Sequence, residues 1–595
     1  MRLQITRSAN AECFFIVKSI RKNGKNTNQV IERLGNLNQV RERAGDQDPY
    51  EWAKEYAARL TMEEQEQSRQ VIHRFSQSAL IPKNTELRFN GGYLFLQKIY
   101  SELKIKEICK AIGRRRAYEY DLNSILSRLV YCRITNPLSK LGTYEYSQKL
   151  LEPPKFELHQ IYRALDVIAE ESDYIQERLY LNSKAVVERN TEVLYYDCTN
   201  YFFEIEQEKG CRKYGACKEN RPLPIVEMGL LMDGNGIPLA FCVHDGNVNE
   251  QTTLRPLEEK ILEDFDLSKF VICTDAGLAS GNNKFFNSRK DRNFITATSV
   301  KKLPAERRER LLQPAGWKLV DAQDRKEYNL DEIDADENAK DIFYDRTFYK
   351  EEWFIDSVDV YDDVLQQTVK RDLSQRLIIT FSFKYRDYLK AIRDGRIERA
   401  KKLIAQGEKA VKHKGKNDVR AFIQEINYTD TGEVAENKAF LLNEDAILDA
   451  SRYDGFYAVY TSLETQKFPV SRINEINHGR WEIEECFRIM KSEFQARPVY
   501  LQKDNRIKAH FMTCFIALLI LRILETRLDH KYTYRELIDC LSEMDFVKLK
   551  DTGYIPAYTR TDLTDTLHKV FDFRTDFEIL SAGAMKKIFA RTKKG

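Results

Sequence analysis

Two apolar segments that each carry an acidic residue most constrain how this chain folds. Residues 270–277, FVICTDAG, form an apolar run that ends in Asp275, and residues 193–199, VLYYDCT, form a β-rich run around Asp197. Strands that are apolar on both faces belong in the middle of a covered sheet. An acid at the carboxyl end of such a strand lies where open α/β sheets bind ligands. We therefore predict an α/β sheet with Asp197 and Asp275 as candidate site residues. For Asp275 the alternative is a plain strand-to-helix turn.

The segments around these acids predict a definite order of elements. Residues 224–232 and 237–243 form strands joined by the Asp-Gly-Asn-Gly sequence at 233–236, which is a strong hairpin signal. Helical patterns at 254–265 and 282–292 precede the strand with Asp275 and a further strand at 294–298. The predicted order is three strands, helix, strand, helix, strand. This is the order of a ribonuclease-H-like fold, in which acids from two strands and a late helix meet around metal.

A third acid, Glu484, lies on a predicted late helix. At about 100° per residue, one apolar stripe collects Ile473, Ile476, Ile483, Phe487, Met490 and Phe494. Arg480, Glu484 and Lys491 fall within about 40° of one another along the edge of that stripe. A carboxylate between two cations on a half-buried face indicates a site for metal ions or phosphates. An ordinary salt-bridged helix surface is the alternative.

With these acids in this order, the chain resembles DDE-type insertion-sequence transposases. The resemblance is to the subgroup with a Tyr-Arg-Glu-Lys signature and a long insertion before the catalytic Glu. Arg480, Glu484 and Lys491 match the signature in type and spacing, whereas Asn477 stands where the family usually has Tyr. Flanking residues are also similar, namely Gly246, Asn247, Trp481, Phe487, Arg488, residues 497–500 (RPVY), Ala509 and His510.

The resemblance implies a Mg²⁺- or Mn²⁺-dependent enzyme that cuts an insertion sequence at its terminal inverted repeats and joins its 3′ ends to target DNA. Asp197 would bind two ions, and Asp275 and Glu484 one each. Hard oxygen ligands suit these ions. Arg480 and Lys491 would position the flanking phosphates. Lys213, Lys218 and Arg221, in the loop before the second strand, are candidates to hold the DNA backbone near the metals, and a solvated loop is the alternative. The partners would be double-stranded DNA and a second copy of the chain. Trp317 and Trp353 are the Trp residues of the insertion available to hold a flipped base.

Composition limits these expectations. The 595 residues exceed a single core, and Lys plus Arg total 95 against 92 Asp plus Glu, a net charge of only +3. DNA binding therefore requires clustered basic residues instead of bulk charge. The 11 cysteines lack a zinc spacing and indicate reduced thiols. No leader or membrane span is evident, and residues 514–521 predict a core helix, so we expect a cytoplasmic, prokaryotic, nucleoid-associated protein.

The predicted fold class is α/β, with a ribonuclease-H-like core interrupted by a mixed α/β insertion and preceded by β and helical domains. The predicted domains are an N-terminal basic β-unit and linker (1–90), a helical region with DNA-binding or plain-bundle character (91–190), the first part of the core (191–300), the insertion (301–454), the second part of the core with the catalytic helix (455–530) and a C-terminal helical region (531–595).

Two alternatives to a transposase remain open on the sequence. One is a transposase-derived DNA-binding protein without activity, which predicts the loss of a carboxylate. The three carboxylates are all present, and Asn477 is the one departure from the signature. The other is a hydrolase that uses paired carboxylates, such as a glycosidase. The cations Arg480 and Lys491 beside Glu484 weigh against that class.

Overall fold

The structure, a computed structural model, describes residues 1–8, 11–22, 25–45, 47–67, 73, 75–78, 80–81, 83–322, 326–362, 364–406, 419–428, 437–550 and 552–595. The chain forms two compact units. One comprises Met1–Thr85 with Leu549–Gly553, and the other comprises Glu86–Lys548 with Tyr554–Gly595. The domain boundaries drawn from the sequence are finer than this division and stay a prediction.

The strands of the described residues are β1 (Arg2–Ser8), β2 (Ala11–Lys22), β3 (Lys25–Asn36), β4 (Arg88–Asn90), β5 (Val193–Phe202), β6 (Ile225–Asp233), β7 (Pro238–Asp245), β8 (Val271–Thr274), β9 (Asn293–Thr298), β10 (Lys318–Leu319), β11 (Phe348–Asp362), β12 (Gln367–Phe381), β13 (Ile423–Tyr428), β14 (Asn437–Leu442), β15 (Phe456–Thr461), β16 (Asp545–Leu549), β17 (Gly553–Pro556) and β18 (Leu580–Ser581).

The α-helices in the part of the chain that the structure describes are α1 (Leu37–Ala44), α2 (Pro49–Gln67), α3 (Tyr93–Glu102), α4 (Ile105–Arg115), α5 (Leu122–Thr135), α6 (Lys140–Ser147), α7 (Leu158–Glu170), α8 (Ser172–Ser183), α9 (Leu254–Asp264), α10 (Gly281–Phe286), α11 (Ala305–Leu311), α12 (Leu330–Ala335), α13 (Glu337–Phe343), α14 (Phe383–Ala405), α15 (Glu444–Ser451), α16 (Val470–Gly479), α17 (Trp481–Arg488), α18 (Asp504–Arg527), α19 (Tyr534–Glu543), α20 (Asp562–Phe571) and α21 (Ala582–Thr592). Short 3₁₀ turns occur at Glu250–Thr252, Ala276–Leu278, Val300–Lys302 and Val419–Phe422, and a π-helical turn occurs at Ile489–Glu493.

The N-terminal unit is built on an antiparallel sheet of β1, β2 and β3. Phe14 and Ile16 alternate along β2 and are buried with Val40 of α1 and Ala53 of α2. This period-2 burial is what a sheet with one covered face requires. This sheet lies within the segment 1–90 for which a β-unit was predicted, and the assignment of that segment as a domain stays a prediction.

The larger unit contains a mixed sheet with the strand order β10-β11-β12-β15-β9-β8-β5-β6-β7. Strands β5, β6 and β7 are mutually antiparallel, whereas β8 runs parallel to β5 and β9 runs parallel to β8. All nine residues of β6 are buried, as expected of an apolar strand covered on both faces. The predicted order of three strands, helix, strand, helix, strand is confirmed by β5, β6, β7, α9, β8, α10 and β9.

Residues 301–454, the predicted insertion, add strands to this same sheet. The long hairpin of β11 and β12 pairs with β15 through the register Arg376↔Thr461 to Phe381↔Phe456. β15 in turn pairs antiparallel with β9. Hydrogen bonds between strands therefore continue from strands β5 to β9, through β15, into the segment predicted to be inserted.

Helix α18 forms the centre of the larger unit. It packs against α3, α5, α7 and β7, and its residues from Ala509 to Glu525 are buried. Among the described residues it is the one helix long and apolar enough to cross a membrane, and 94% of its apolar window is buried inside the protein. The core helix predicted at 514–521 is thereby confirmed.

The helical region 91–190 contains α3 to α8. Two arginines at the end of α4 are already paired within the protein, since Arg115 contacts Glu171 at 2.7 Å and Arg116 contacts Glu171 at 2.8 Å. These two guanidinium groups therefore have carboxylate partners without DNA. A DNA-reading role for this region stays a prediction.

The helix that carries Glu484 is tied to strand β5 by Tyr195. The Tyr195 hydroxyl donates to the carbonyl oxygen of Ile476 at 2.9 Å, and α16 ends at Gly479, after which α17 begins at Trp481. A Cβ atom at position 479 would lie 2.3 Å from the Tyr195 oxygen. Position 479 must therefore be glycine for the phenol to pass so close to the helix.

We predict that Gly479→Ala destabilises the protein because its methyl group overlaps the Tyr195 hydroxyl. The free energy of unfolding should fall by about 1–3 kcal/mol, as for other overpacked sites. In the double variant Tyr195→Phe/Gly479→Ala, part of the lost stability should be restored, because the overlapping oxygen is absent. Urea unfolding followed by circular dichroism measures both effects.

Gly395→Ala in α14 is the matched control, because a Cβ there meets no atom within 4 Å. Removing a glycine from an open helix position should stabilise the protein by about 0.5–1 kcal/mol. Effects of opposite sign for the two alanines on the free energy of unfolding would support the close approach at position 479. Equal stabilisation by both would contradict it.

Candidate active site

Alternation along β5 decides which way Asp197 faces. Tyr195 and Tyr201 lie in the core that contains α16, α17 and α18, whereas Tyr196 and Cys198 lie in the core on the opposite side of the sheet. Successive side chains of a strand point to opposite faces. Asp197 therefore shares the face of Tyr195, which is the face covered by the Glu484 helix.

Asp275 lies beside Asp197 because of the parallel register of β5 and β8. Tyr195 pairs with Cys273 and Tyr196 pairs with Thr274. Asp275 is extended, and continuing the register by one residue sets it next to Asp197. Its Oδ1 also accepts hydrogen bonds from the amides of Gly277 and Leu278, at 2.9 and 3.2 Å. The turn proposed as the alternative for Asp275 is therefore present together with the adjacency to Asp197.

Asp197 is a strongly perturbed carboxylate. Burial raises its pKa to about 6, and the neighbouring charge of Asp275 adds to the increase, while Lys218 and Arg480 oppose it. Two carboxylates side by side in a largely buried position repel each other unless cations lie between or beside them. The pair is thus suited to binding positive charge.

Glu484 and Asp275 line one cleft of about 550 Å³, together with Arg480 and Tyr457. The Glu484 side chain is 63% exposed, and its Oε1 lies 3.7 Å from Nη1 of Arg480. Arg480 also interacts electrostatically with Asp275. The structure therefore brings Glu484 to the cleft of Asp275, with Arg480 as the cation at their junction.

A second cleft of about 460 Å³ adjoins the first. Tyr457, Arg480 and Glu484 line both clefts, and Tyr385 and Trp481 line the second. The Tyr457 hydroxyl donates to Oδ1 of Asn477 at 3.5 Å. A phenol from β15 thus lies at the residue that stands in place of the signature Tyr. Tyr457 was not among the predicted site residues, because a single Tyr in a strand gives no signal of its own.

Lys218 and Lys491 lie near the acids but in separate settings. Lys218 donates to the carbonyl of Cys198 and lies 3.3 Å from Glu250. Lys491 lies 3.6 Å from Glu219 and 5.4 Å from the ring centroid of Tyr201. Burial lowers the pKa of Lys491 to about 8, and the nearby charge of Lys218 contributes.

The predicted alignment of Lys491 with Arg480 and Glu484 rested on an unbroken 3.6-residue period. The apolar stripe itself is confirmed, since Ile473, Ile483 and Met490 are fully buried. However, the chain leaves the α-helical period at Ile489–Glu493, where Phe494 N–H donates to Ile489 across five residues. Such π-helical turns change the direction of the side chains they contain and often occur at functional sites.

The remaining predicted phosphate contacts line neither of the two clefts. Arg221 is exposed, and its guanidinium lies 4.4 Å from the ring centroid of Phe202. Lys213 pairs with Glu208 at 3.6 Å. Trp317 is fully buried, so it has no surface on which a base could stack, whereas Trp353 is 43% exposed and donates to Thr465.

Glu227 of β6 is a further buried acid near Lys218 and Lys491. It is 3% exposed, and its Oε2 has no hydrogen-bond partner among the described residues. Burial and then the charge of Glu250 raise its pKa to about 7. An acid inside the apolar run 224–232 was the signal for it, of the same kind that identified Asp197.

Asp197, Asp275 and Glu484 fit divalent cations by charge and by their hard oxygen donors. Burial is the main cause of the raised pKa of Asp197, and a cation beside it would favour the ionised form. Within the described ranges, no three His, Cys, Asp or Glu side chains form a ready metal-binding cluster. In this conformation Glu484 pairs with Arg480, so a shared ligand set requires its exposed side chain to rotate.

Comparison with known proteins identifies the family of this chain. A family model described as the transposase DDE domain matches residues 202–520, which is more than half of the chain and includes Asp275 and Glu484. The chain belongs to the DDE transposase family. Membership implies an enzyme of the nuclease and transferase class that acts in transposition, and the family generally uses divalent metal ions.

The matched residues begin after Asp197, so the assignment of Asp197 to the site depends on the geometry described above. A cryo-EM structure of a piggyBac transposase synaptic complex with hairpin DNA has 8% sequence identity, covers 84% of each chain and has a TM-score of 0.33. Similarity at this level supports no further argument. The comparison with curated proteins gave no match.

We predict that Asp197→Asn stabilises the protein at neutral pH in the presence of a chelator. The native pKa of about 6 exceeds the ordinary value of 3.8, so the unfolded chain releases its proton first as the pH rises. The native state of the parent therefore loses stability between about pH 4 and pH 6, by about 2–3 kcal/mol in total. The Asp197→Asn variant has no titrating group at this position and so has no such loss of stability. The parent and the variant should therefore be equally stable near pH 4 and should differ most above pH 6.

Urea unfolding from pH 4 to pH 8 measures this difference. Added Mg²⁺ should raise the unfolding midpoint of the parent more than that of Asp197→Asn. The control Asp359→Asn removes an exposed acid paired with Lys370 and should show neither effect. A constant difference between parent and Asp197→Asn across the pH range would contradict the perturbed pKa.

Proposed function

We propose that this protein is a DNA transposase of the Tyr-Arg-Glu-Lys subgroup. It would cut an insertion sequence at its terminal inverted repeats and join the 3′ ends to target DNA. The observation that carries the proposal is the adjacency of Asp197 and Asp275 on the sheet face covered by the Glu484 helix, in a chain that matches the DDE domain. The strand order β7-β6-β5-β8-β9, with β5, β8 and β9 parallel, supports a ribonuclease-H-like core.

The substrate class proposed is double-stranded DNA, comprising the ends of the element and the target. Joining two ends to one target requires both to be held together, which favours a homodimer. A prokaryotic, cytoplasmic and nucleoid-associated location is part of the same proposal. Residues 301–454 would be the insertion of this subgroup, and the pairing of β12 with β15 would fix it to the core.

Asp197, Asp275 and Glu484 would hold two Mg²⁺ or Mn²⁺ ions. When bound, a pair of such ions activates the attacking oxygen and stabilises the leaving oxygen of a phosphodiester. The raised pKa of Asp197 supports this assignment, since a cation would favour its ionised form. Glu484, exposed and attached to the fixed helix α17, would complete the ligand set by rotation of its side chain.

Basic side chains would orient the DNA strand. Arg480 lies where the two clefts meet, and its planar guanidinium can bind a phosphate with two hydrogen bonds once Glu484 leaves it. Lys491 and Lys218 would contribute point charges beside Asp197. Arg221 would contact the backbone at the exposed rim, because its side chain lies outside the clefts.

Metal-dependent nicking of supercoiled plasmid tests this function. Asp197→Asn and Glu484→Gln should each lower the nicking rate at least 1000-fold, because the ligand set loses a charge, while affinity for an end fragment stays within about threefold. Glu475→Gln is the matched control, since Glu475 is an exposed acid of α16 paired with Arg472. Nicking by Asp197→Asn at the parental rate would refute the site.

An inactive, transposase-derived DNA-binding protein is the second candidate, and Asn477 in place of Tyr is the observation that favours it. The two candidates differ in one result. A parent chain that binds the element's ends but does not nick plasmid in Mg²⁺ or Mn²⁺ would select the inactive protein. Parental nicking lost in Asp197→Asn would select the transposase.

We also propose that Tyr457 supplies the phenol that position 477 lacks. Its hydroxyl contacts Asn477, and its ring lines both clefts with Arg480. Tyr457→Phe should therefore lower kcat/KM for nicking about tenfold through loss of a phosphate hydrogen bond. Tyr460→Phe, on the opposite face of β15 beside Lys284, should leave nicking unchanged. If Tyr457→Phe and Tyr460→Phe have the same kcat/KM for nicking, Tyr457 has no role in the site.

A further inference from the structure

Helix α14 presents to the surface a continuous stripe that contains no acidic side chain. Its members follow one another at spacings of three and four residues, which keeps them on one helix face. They are Tyr385, Tyr388, Ile392, Gly395, Arg399 and Lys402. All six are exposed, with Tyr388 60% and Ile392 41% exposed. We call this set the α14 stripe.

Acidic residues are absent from the α14 stripe. Helix α14 contains eight Lys and Arg residues against three acids, and the acids Asp387, Asp394 and Glu398 lie together on a different face. Most of the other basic residues already have carboxylate partners within the protein, as in the pairs Lys384–Asp345, Arg386–Asp334 and Arg393–Asp454. Among the described residues, no carboxylate forms an ion pair with Arg399 or Lys402, although, after Lys401, the charge of Lys402 contributes to the lowered pKa of Glu398. The stripe therefore carries two cations available for an external anion.

Gly395 lies in the middle of the α14 stripe. A glycine inside a helix costs about 1 kcal/mol relative to alanine, and a Cβ at this position would meet no atom of the protein within 4 Å. The packing of the protein thus gives no reason for glycine here. A ligand that approaches the helix backbone closely would give one. Arg399 reaches back along the same face, where its Nε donates to the carbonyl of Gly395 at 3.2 Å.

The α14 stripe is continuous with the candidate active site. Tyr385 at its first turn lines the cleft that Arg480 and Glu484 also line. From Tyr385 to Lys402 the stripe is about 26 Å long, at 1.5 Å per residue. This length corresponds to about eight base pairs of duplex DNA, at 3.4 Å per step.

We propose that the α14 stripe binds the sugar-phosphate backbone of duplex DNA that extends beyond the scissile phosphate. Arg399 and Lys402 pair with phosphates, the phenols of Tyr385 and Tyr388 donate hydrogen bonds to phosphate oxygens, and Gly395 allows the backbone to approach the helix. This inference rests on the proposed DNA-cleaving function. It assigns to the insertion a sequence-independent contact that holds DNA against the cleft.

The salt dependence of DNA binding tests the proposal. Each phosphate contact adds about 0.9 to the slope of log Kd against log salt concentration. The probe is a fluorescein-labelled duplex of 30 base pairs and mixed sequence, with a chelator present, measured by anisotropy from 50 to 300 mM KCl. The double variant Arg399→Gln/Lys402→Gln should reduce the slope by about 1.8. A slope equal to that of the parent overturns the proposal.

The matched control is Lys390→Gln/Lys401→Gln, which removes the same charge from a different face of α14. Lys401 pairs with Glu398 at 2.8 Å, and neither lysine belongs to the stripe. Its slope should stay within about 0.5 of the parental value. A reduction equal to that of Arg399→Gln/Lys402→Gln would mean that bulk charge alone acts, and would overturn the proposal as well.

A further variant, Gly395→Glu, tests the close approach. Glutamate favours helix, so the fold should persist, while the new carboxylate repels phosphate at the middle of the stripe. The affinity at 100 mM KCl should fall at least tenfold, and unchanged affinity would contradict the role of Gly395. Gly395→Ala, which adds no charge, should reduce affinity less than Gly395→Glu.

The outcome for the α14 stripe is separate from the outcome for the active site. Binding slopes require no cleavage, and Asp197→Asn should retain the parental slope. If Asp197→Asn nicks plasmid normally, the proposed active site fails, while the slopes still decide whether the stripe binds DNA. If Asp197→Asn is inactive and all slopes are equal, the proposed function stands and the stripe fails.

Discussion

The hydrogen bond from Tyr195 to the carbonyl of Ile476 is the contact on which the geometry of the site depends. Tyr195 precedes Asp197 by two residues on the same sheet face, and Ile476 lies on the helix just before the one that carries Glu484. One buried phenol therefore joins the strand of one acid to the helix of another. The close approach requires glycine at position 479, and the interruption of the helix after Gly479 leaves Arg480 at the junction of the two clefts.

At the candidate site, the pKa of one acid is raised and the pKa of one lysine is lowered, so both charged forms are disfavoured. Asp197 and Asp275 are adjacent, and the pKa of Asp197 is raised, chiefly by burial. Nearby, burial and Lys218 lower the pKa of Lys491. Acids and cations thus occupy neighbouring but separate positions instead of neutralising one another fully. Such an arrangement is suited to a ligand that brings both signs, as metal ions together with phosphates do.

Much of the fold could be predicted because strand periodicity is local. The apolar runs around Asp197 and Asp275 identified β5 and β8, and the Asp-Gly-Asn-Gly sequence identified the β6–β7 hairpin. The role of the insertion in the sheet could not be predicted, because the pairing of β12 with β15 joins residues about 80 positions apart. The burial of Trp317 likewise depends on distant partners, including Phe381 and Phe456.

The sequence by itself determined which acids are candidates and their order along the chain, because the strand and helix patterns that contain them are local. Only the tertiary structure decided that Asp197 and Asp275 are neighbours, since parallel register is a long-range property. The π-helical turn at Ile489–Glu493, which turns Lys491 towards Glu219 and Tyr201, was also beyond the sequence pattern. A π-helical turn departs from the regular helical period. Whether it forms depends on the packing around it, which a local sequence pattern does not contain.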